Sequence, residues 1–285
     1  METAKIAAPI SGNKLYQKRA RYALPILVRQ AKSGNIITYS DLAEELKMPN
    51  PRNLNYVLGC IGTTLENISE EWKIDIPPIQ CLVVNKNTGI PGEGIGWFLT
   101  KKYNFSSLSR RQKRNLVDAK LNLIYSFSEW NKILSILNLV ELKNNFKNEL
   151  DSARDFIGGG ESDAHKRIKK YISKNPKAIG LSIKTPNGEM ECRLPSGDII
   201  DVLFKNKKDW AAVEVKSKIS NENDIIRGIF QCIKYKAILE AMQTASGLPQ
   251  NARAILALES KLPEKLVALK NMLNVEVIDL IKIDV

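Results

Sequence analysis

Asp201, Glu214 and Lys216 are the residues whose types and spacing could do chemistry together. Asp201 falls in the β-branched run SGDIIDVLF, and Glu214-Val215-Lys216 closes the next run, DWAAVEVKS, after a short turn. Two adjacent strands would bring one carboxylate from each, plus an ammonium, to the same point. Alternation puts Glu214 and Lys216 on one face of the second strand and points Val215 into the core on the other. Two carboxylates and a lysine on a sheet edge suit magnesium-dependent phosphodiester chemistry. The carboxylates hold a hard divalent cation, and the lysine orients or deprotonates water. A solvated hairpin with ordinary surface charges is the competing reading.

The elements that must position this trio lie on either side of it. Upstream, GGGESDAHKRIKKYISKNP reads as a helix entered through a glycine hinge and stopped before Pro176. Ala164, Ile168, Tyr171 and Ile172 form its apolar stripe, which Glu161 and His165 extend at helical spacing. Polar groups on a core-facing stripe need a cation or a hydrogen-bond partner. Glu161 either serves a cation or caps the first turn, where its charge suits the helix dipole. His165, the only histidine, either ligates metal or makes a satisfied structural contact. Downstream, NENDIIRGIFQCIKYKAILEAMQTA is a long amphipathic helix with Ile225, Ile226, Ile229, Phe230, Ile233 and Ile238 on its apolar side. Gln231 and Tyr235, four residues apart, share a face, with Arg227 and Lys234 beside them. Such a face could grip a phosphate backbone, or it is simply a charged outer surface.

Residues 156–285 resemble the PD-(D/E)XK nuclease superfamily, and the Gln231-x-x-x-Tyr235 pair is similar to the extra motif of its RecB-type branch. On that resemblance Glu161 sits on the first core helix, Asp201 is the first strand acid, and Glu214-x-Lys216 completes the motif. The resemblance implies a restriction-endonuclease-like mixed α/β sheet flanked by helices and a catalytic set of Glu161, Asp201, Glu214, Lys216, Gln231 and Tyr235. It also implies Mg²⁺ or Mn²⁺ on Asp201, Glu214 and the Val215 carbonyl. Asp198, three residues from Asp201, shares no strand face with it, so Asp201 is preferred as ligand.

The chain has 285 residues, which suggests two domains, and 43 Lys+Arg against 31 Asp+Glu, a formal charge of +12. That surplus favours a polyanionic partner, most simply duplex DNA. Cys60, Cys81, Cys192 and Cys232 are scattered and form no C-x-x-C pair, so neither a disulfide framework nor a zinc site is expected. No apolar run is long enough to span a membrane, and METAKIAAPISGNK lacks a signal-type apolar core. The expectation is a cytoplasmic protein in a reducing compartment.

A second signal lies in residues 14–100, after a flexible 1–13. TYSDLAEELKMP gives a helix capped by Thr38 or Ser40, and NPRNLNYVLGCIG restarts one with Asn50 as cap and Pro51 first. Two helices around a tight turn make a helix-turn-helix, whose second helix commonly enters a DNA groove. Leu54, Val57, Leu58 and Ile61 form its buried stripe, leaving Arg52, Asn53, Asn55 and Tyr56 for phosphates and base edges. IQCLVVNKNTGIPGEGIGWFL then reads as strand, glycine-rich loop and strand, in the position of a wing.

This segment resembles the DNA-binding domain of methylated-DNA–protein cysteine methyltransferases and alkyltransferase-like proteins. Thr38-Tyr39-Ser40-Asp41-Leu42-Ala43 is similar to that family's Ser-Tyr-x-x-Leu-Ala helix start, and Arg52 falls where its intercalating arginine lies. The resemblance implies DNA contacts at Tyr39 and Arg52 and the sensing of modified bases by flipping. The family's Pro-Cys-His-Arg is not matched in Pro78-Ile79-Gln80-Cys81-Leu82-Val83-Val84. Without a neighbouring base or cation Cys81 lacks what makes a thiolate, and reads as a core residue. Residues 101–155 are expected to be a helical connector. Its run from Ser109 to Arg114, with Arg110 and Arg111, is a phosphate-contacting strip or a solvated face; the region could equally form a dimer contact.

The expected whole is an N-terminal winged helix-turn-helix, mainly α with a small β wing, joined to the α/β nuclease-like domain at 156–285. The activity expected is that of a DNA endonuclease of restriction, defence or repair type. The alternative is a non-catalytic DNA-binding or modified-base sensor protein.

Overall fold

Alanine, leucine and isoleucine at helical spacing bury one side of α1 (Leu15–Ser33), which ends at Gly34 with φ of 68°, a left-handed cap that favours glycine. β1 (Ile37–Thr38) runs directly into α2 (Tyr39–Glu45), whose cap is Thr38: its Oγ1 accepts the Asp41 N–H at 3.1 Å. Asn50 Oδ1 accepts the Arg52 N–H at 2.9 Å and starts a 3₁₀ turn over Pro51–Asn53, from which α3 (Leu54–Trp72) continues. Leu54, Val57, Leu58 and Ile61 are buried, as the period requires. β2 (Val83–Val84), α4 (Gly96–Leu99), α5 (Arg110–Ser126) and α6 (Trp130–Ile136) complete this half of the chain.

The computed structural model describes residues 7–99, 104–142, 146–155, 162–207 and 209–283, and the chain divides into two compact units, Met1–Asn144 and Asn145–Val285. Val117, Ile124, Trp130, Ile133 and Leu134 share one core with α1 and α3. Helices α5 and α6 therefore belong to the first unit, and the boundary expected near residue 100 moves to 144.

The expected two-stranded wing does not form. Ile79–Leu82 is a 3₁₀ turn, and only Val83-Val84 is extended, pairing in parallel with β1. Gly96–Leu99, expected as the second wing strand, is helical. Gly92, Gly94 and Gly96 contribute no side chains to a ladder, while Leu99 and Phe98 pack back onto the core.

In the second unit α7 (Lys147–Asp155) and α8 (Asp163–Lys174) precede the sheet. Then come β3 (Glu189–Arg193), β4 (Ile199–Asn206), β5 (Asp209–Lys216), α9 (Glu222–Ala245), β6 (Arg253–Leu258), α10 (Val267–Met272) and β7 (Glu276–Ile278). The strand order is β3-β4-β5-β6-β7, antiparallel from β3 to β5 and parallel from β5 to β7. β5 is thus the centre of the sheet, and the sheet-edge placement expected for Glu214 and Lys216 is corrected. A central strand is covered on both faces, and seven of the eight residues of β5 are buried. Ile168 and Ile172 of α8 pack with Val213 and Val215 on one face; Ile225, Ile229 and Leu239 of α9 pack with Ala212 and Leu256 on the other. Among the described residues no helix is long and apolar enough to cross a membrane.

Candidate functional site

The β4–β5 ladder runs from Asn206↔Asp209 to Val202↔Val213 and stops one step short of Asp201 and Glu214. There a side chain replaces the backbone partner. Asp201 Oδ2 accepts the Val215 N–H at 2.8 Å, and Asp201 Oδ1 lies 3.2 Å from His165 Nε2. The splayed strands thereby leave two carboxylates at the C-terminal end of the central strand. Val215 fills the core on the α8 face, as alternation requires, while Glu214 and Lys216 turn to the α9 face.

Glu214 and Lys216 are only 4% and 6% exposed, so each charge must find its counterpart inside the protein. Lys216 Nζ lies 2.9 Å from Glu214 Oε1 and 2.8 Å from Asp224 Oδ1. Gly228 lets α9 come this close: a Cβ there would fall 2.7 Å from Leu256 Cδ1 and 3.1 Å from Lys216 Cε. Burial, followed by the charge of Asp201, pushes the Glu214 carboxyl up to about 7, against the pull of Lys216. Burial works against the Lys216 ammonium, yet Glu214 and Asp224 outweigh it and hold its pKa above the ordinary lysine value. Lys216 is therefore a fixed cation that can orient water or phosphate. Of the two roles read from sequence, deprotonating water is the one its surroundings disfavour.

His165 is raised above the ordinary histidine pKa by its bond to Asp201, partly offset by burial. Its backbone N–H is taken by the α8 cap, Ser162 Oγ, at 3.2 Å. Glu161 lies outside the described residues. Asp198 is an outer residue, paired with Lys234 at 2.7 Å and with Ser196.

Tyr235 departs from the expected phosphate-gripping face. It is buried, and its hydroxyl donates to the Ile199 carbonyl at 3.0 Å, pinning the start of β4 against α9. Gln231 Nε2 donates to that hydroxyl at 3.2 Å, and Gln231 Oε1 is buried with no partner. The helix buries Cys232, Tyr235 and Leu239, while Ile233, expected on the apolar side, is 37% exposed.

Asp224 is the site residue that sequence reasoning missed. It follows the cap Asn221 in the first turn of α9, where an acid is an ordinary dipole partner, so its spacing gave no signal. Lys169 was missed too: it is buried on α8 and paired at 2.8 Å with Glu191, which stands at φ of 56°.

The chemistry of the cluster fits a hard divalent ion. Asp201, Glu214 and the Val215 carbonyl offer only oxygen, and the burial and like charge that raise Glu214 are what a cation would relieve. Among the described residues, however, no group of three or more His, Cys, Asp or Glu side chains is placed to hold a metal.

In the first unit Arg52 and Asn53 are exposed on the turn that opens α3, with Asn55 and Tyr56 exposed on its first turn. Tyr39 Oη accepts the Gly92 N–H at 2.9 Å and fixes the glycine-rich loop beside them. Arg110 and Arg111 are exposed at the start of α5; Arg114 donates to the Thr88 carbonyl at 2.6 Å, and Lys113 pairs with Glu93 at 2.7 Å. Arg110 and Arg111 thus stand at the helix end where the dipole disfavours positive charge. A cavity of about 340 Å³ opens between α2, the start of α3 and the glycine-rich loop, lined by Tyr39, Arg52, Asn55, Leu58, Gln80 and Phe98 among others. Cys81 is fully buried, and burial pushes its thiol up to about 12.

The second unit is thus a mixed α/β sheet carrying an acid–lysine cluster at the end of its central strand. Searches of protein-family models, curated proteins and solved structures give no significant match to the chain.

Proposed function

We propose that the chain is a metal-dependent DNA endonuclease that meets duplex DNA through its first unit and cuts it in the second. The observation that carries this reading is the convergence of Asp201, Glu214 and Lys216 where β4 and β5 part. Mg²⁺ or Mn²⁺ held by Asp201, Glu214 and the Val215 carbonyl would supply Lewis-acid activation of water and of the phosphate. His165 and the Val215 N–H hold Asp201 in place, and Asp224 keeps Lys216 charged and aimed at the same end of the strand. Lys216 then offers a fixed positive charge to water or to a phosphate oxygen. Gln231 and Tyr235 act behind this set by tying α9 to β4. In the first unit Arg52, Asn53 and Asn55 would face the duplex, with Arg110 and Arg111 on its phosphates.

A second reading is a DNA-binding protein or modified-base sensor with a non-catalytic nuclease fold. It is favoured by two observations: both oxygens of Asp201 already have protein partners, and no three-residue metal group forms among the described residues. Incubating purified protein with plasmid and linear DNA, in Mg²⁺, Mn²⁺ or EDTA, separates the two. Cleavage should need the cation and be lost in Asp201→Asn and Glu214→Gln, with DNA affinity near wild type in both. Cutting at wild-type rate by either variant would remove the assigned site, and no cutting by the wild type would favour the second reading.

A further inference from the structure

Lys169 is a buried cation that the chemistry proposed above does not use. It stands one turn beyond His165 on α8, next to the Ile168 and Ile172 side chains that pack on the sheet, and is 6% exposed. An ammonium withdrawn this far from water needs an anion. Its Nζ meets Glu191 Oε1 at 2.8 Å, and the Glu191 side chain is 61% exposed. The aliphatic stem of Lys169 is thus covered by protein, while its charged head lies beneath a carboxylate that faces solvent.

The backbone of β3 is bent to place that carboxylate. β3 pairs with β4 at Met190↔Val202 and Cys192↔Ile200, and the step between them, Glu191 with Asp201, is missing. Glu191 stands there at φ of 56°, a left-handed conformation that a glutamate rarely adopts. The β3–β4 ladder is therefore interrupted at Asp201, where the β4–β5 ladder ends. Strain held beside a reactive cluster is a pointer to function. The charges of Lys169 and Lys216 both bear on His165, so the two lysines flank the His165–Asp201 pair, one from α8 and one from β5. β3 is an edge strand, so no further strand covers the Lys169 side of the cluster.

We propose that Lys169 is a second phosphate-binding cation of the site, covered by Glu191 in the free protein and handed to a backbone phosphate when a DNA strand binds. A phosphate offers the same charge-assisted oxygen contact as the carboxylate it displaces. The buried ammonium keeps an anion in both states, so the exchange does not strand a charge. Glu191 is the easier partner to release, because its side chain is solvated and its backbone is strained. This inference rests on the reading that DNA meets the second unit at Asp201, and it adds a phosphate contact and an internal anion that competes for it.

The test uses the full chain, with duplex cleavage measured in Mg²⁺ and duplex affinity in EDTA. Glu191→Gly uncovers Lys169 and suits the left-handed backbone. It should lower KM, and Kd in EDTA, by about fivefold. Glu189→Gln removes an exposed negative charge from the same strand and measures the general relief of repulsion; its effect should stay under about twofold. Lys169→Met should raise KM by about tenfold, and Lys169→Arg should restore most of the loss. In the Lys169→Met background Glu191→Gly should bring no gain, since there is no cation left to uncover. Were Lys169→Met not to fold, the comparison of Glu191→Gly with Glu189→Gln still decides. Equal gains from those two variants, or a gain at Glu191 that survives the loss of Lys169, overturn the proposal. A wild type that cuts, with KM unmoved in Glu191→Gly, removes this contact and leaves the nuclease reading standing. A wild type that does not cut, with the shift in Kd present, keeps the contact and removes the nuclease reading.

Discussion

Cys81 lacks the surroundings that would make its thiol reactive. Burial holds the thiol at about 12, and no histidine stands beside it. After incubation with methylated DNA, mass spectrometry should find no mass gain on Cys81; iodoacetamide at neutral pH should label half-exposed Cys192 well before Cys60, Cys81 or Cys232. An alkyl group found on Cys81 would show that the thiol is reactive in spite of its burial. Glu214 gives the residue-scale prediction on pH. Unfolded, its carboxyl titrates near about 4.3; in the fold, burial and Asp201 hold it at about 7. Between those values the native chain keeps a proton that the unfolded chain has released, so stability falls as pH rises through that window. In EDTA, Glu214→Gln should flatten this fall and melt above wild type at pH 7.5. Identical pH profiles for the two proteins would show that Glu214 is not the group responsible.

At the scale of elements, α5 and α6 decide whether the first unit folds. Trp130 is 2% exposed, donates through Nε1 to the Ile124 carbonyl at 2.9 Å and meets Phe127 edge-on at 4.8 Å. Trp130→Ala should cost about 3–5 kcal/mol, and a segment ending at residue 100 should be unfolded or aggregated where residues 1–144 melt cooperatively. A sharp thermal transition from the shorter segment would contradict this. These helices were legible in sequence as apolar spacing, but their allegiance was not, because periodicity shows that a face is buried without showing against what. The same limit applies elsewhere. The strands β4 and β5 and the helix α9 could be read directly, since β-branched runs, the amphipathic spacing from Ile225 to Ile238 and the acid–lysine spacing agree. The wing was misread because four residues, Gly-Trp-Phe-Leu, carry too little pattern to tell strand from helical turn. β3 gave no alternation to detect, being an edge strand exposed at four of its five positions. Asp224 was illegible for a different reason: it matters through Lys216 on another element, and nothing in local spacing records that.

For the whole molecule the leading influence is charge. A surplus of twelve positive charges draws a polyanion from a distance, but such attraction is indifferent to sequence and is screened by salt. Affinity for duplex DNA should therefore fall steeply between about 50 and 200 mM salt, with a log–log slope set by the number of phosphates neutralised. The two halves of the proposal predict different mutational signatures on that plot. Arg110→Ala with Arg111→Ala should reduce the slope by about one unit for each phosphate no longer neutralised, weakening all sequences alike. Arg52→Ala, if its guanidinium reaches bases, should cost about 1–3 kcal/mol and reduce discrimination between sequences more than it changes the slope. Glu214→Gln removes a buried anion from the other unit and should move neither quantity, which makes it the control for measuring binding without cutting. Equal slopes for wild type and the double arginine variant would take α5 out of the DNA interface and leave its basic run as a solvated helix face. Unchanged discrimination in Arg52→Ala would confine that residue to the phosphates.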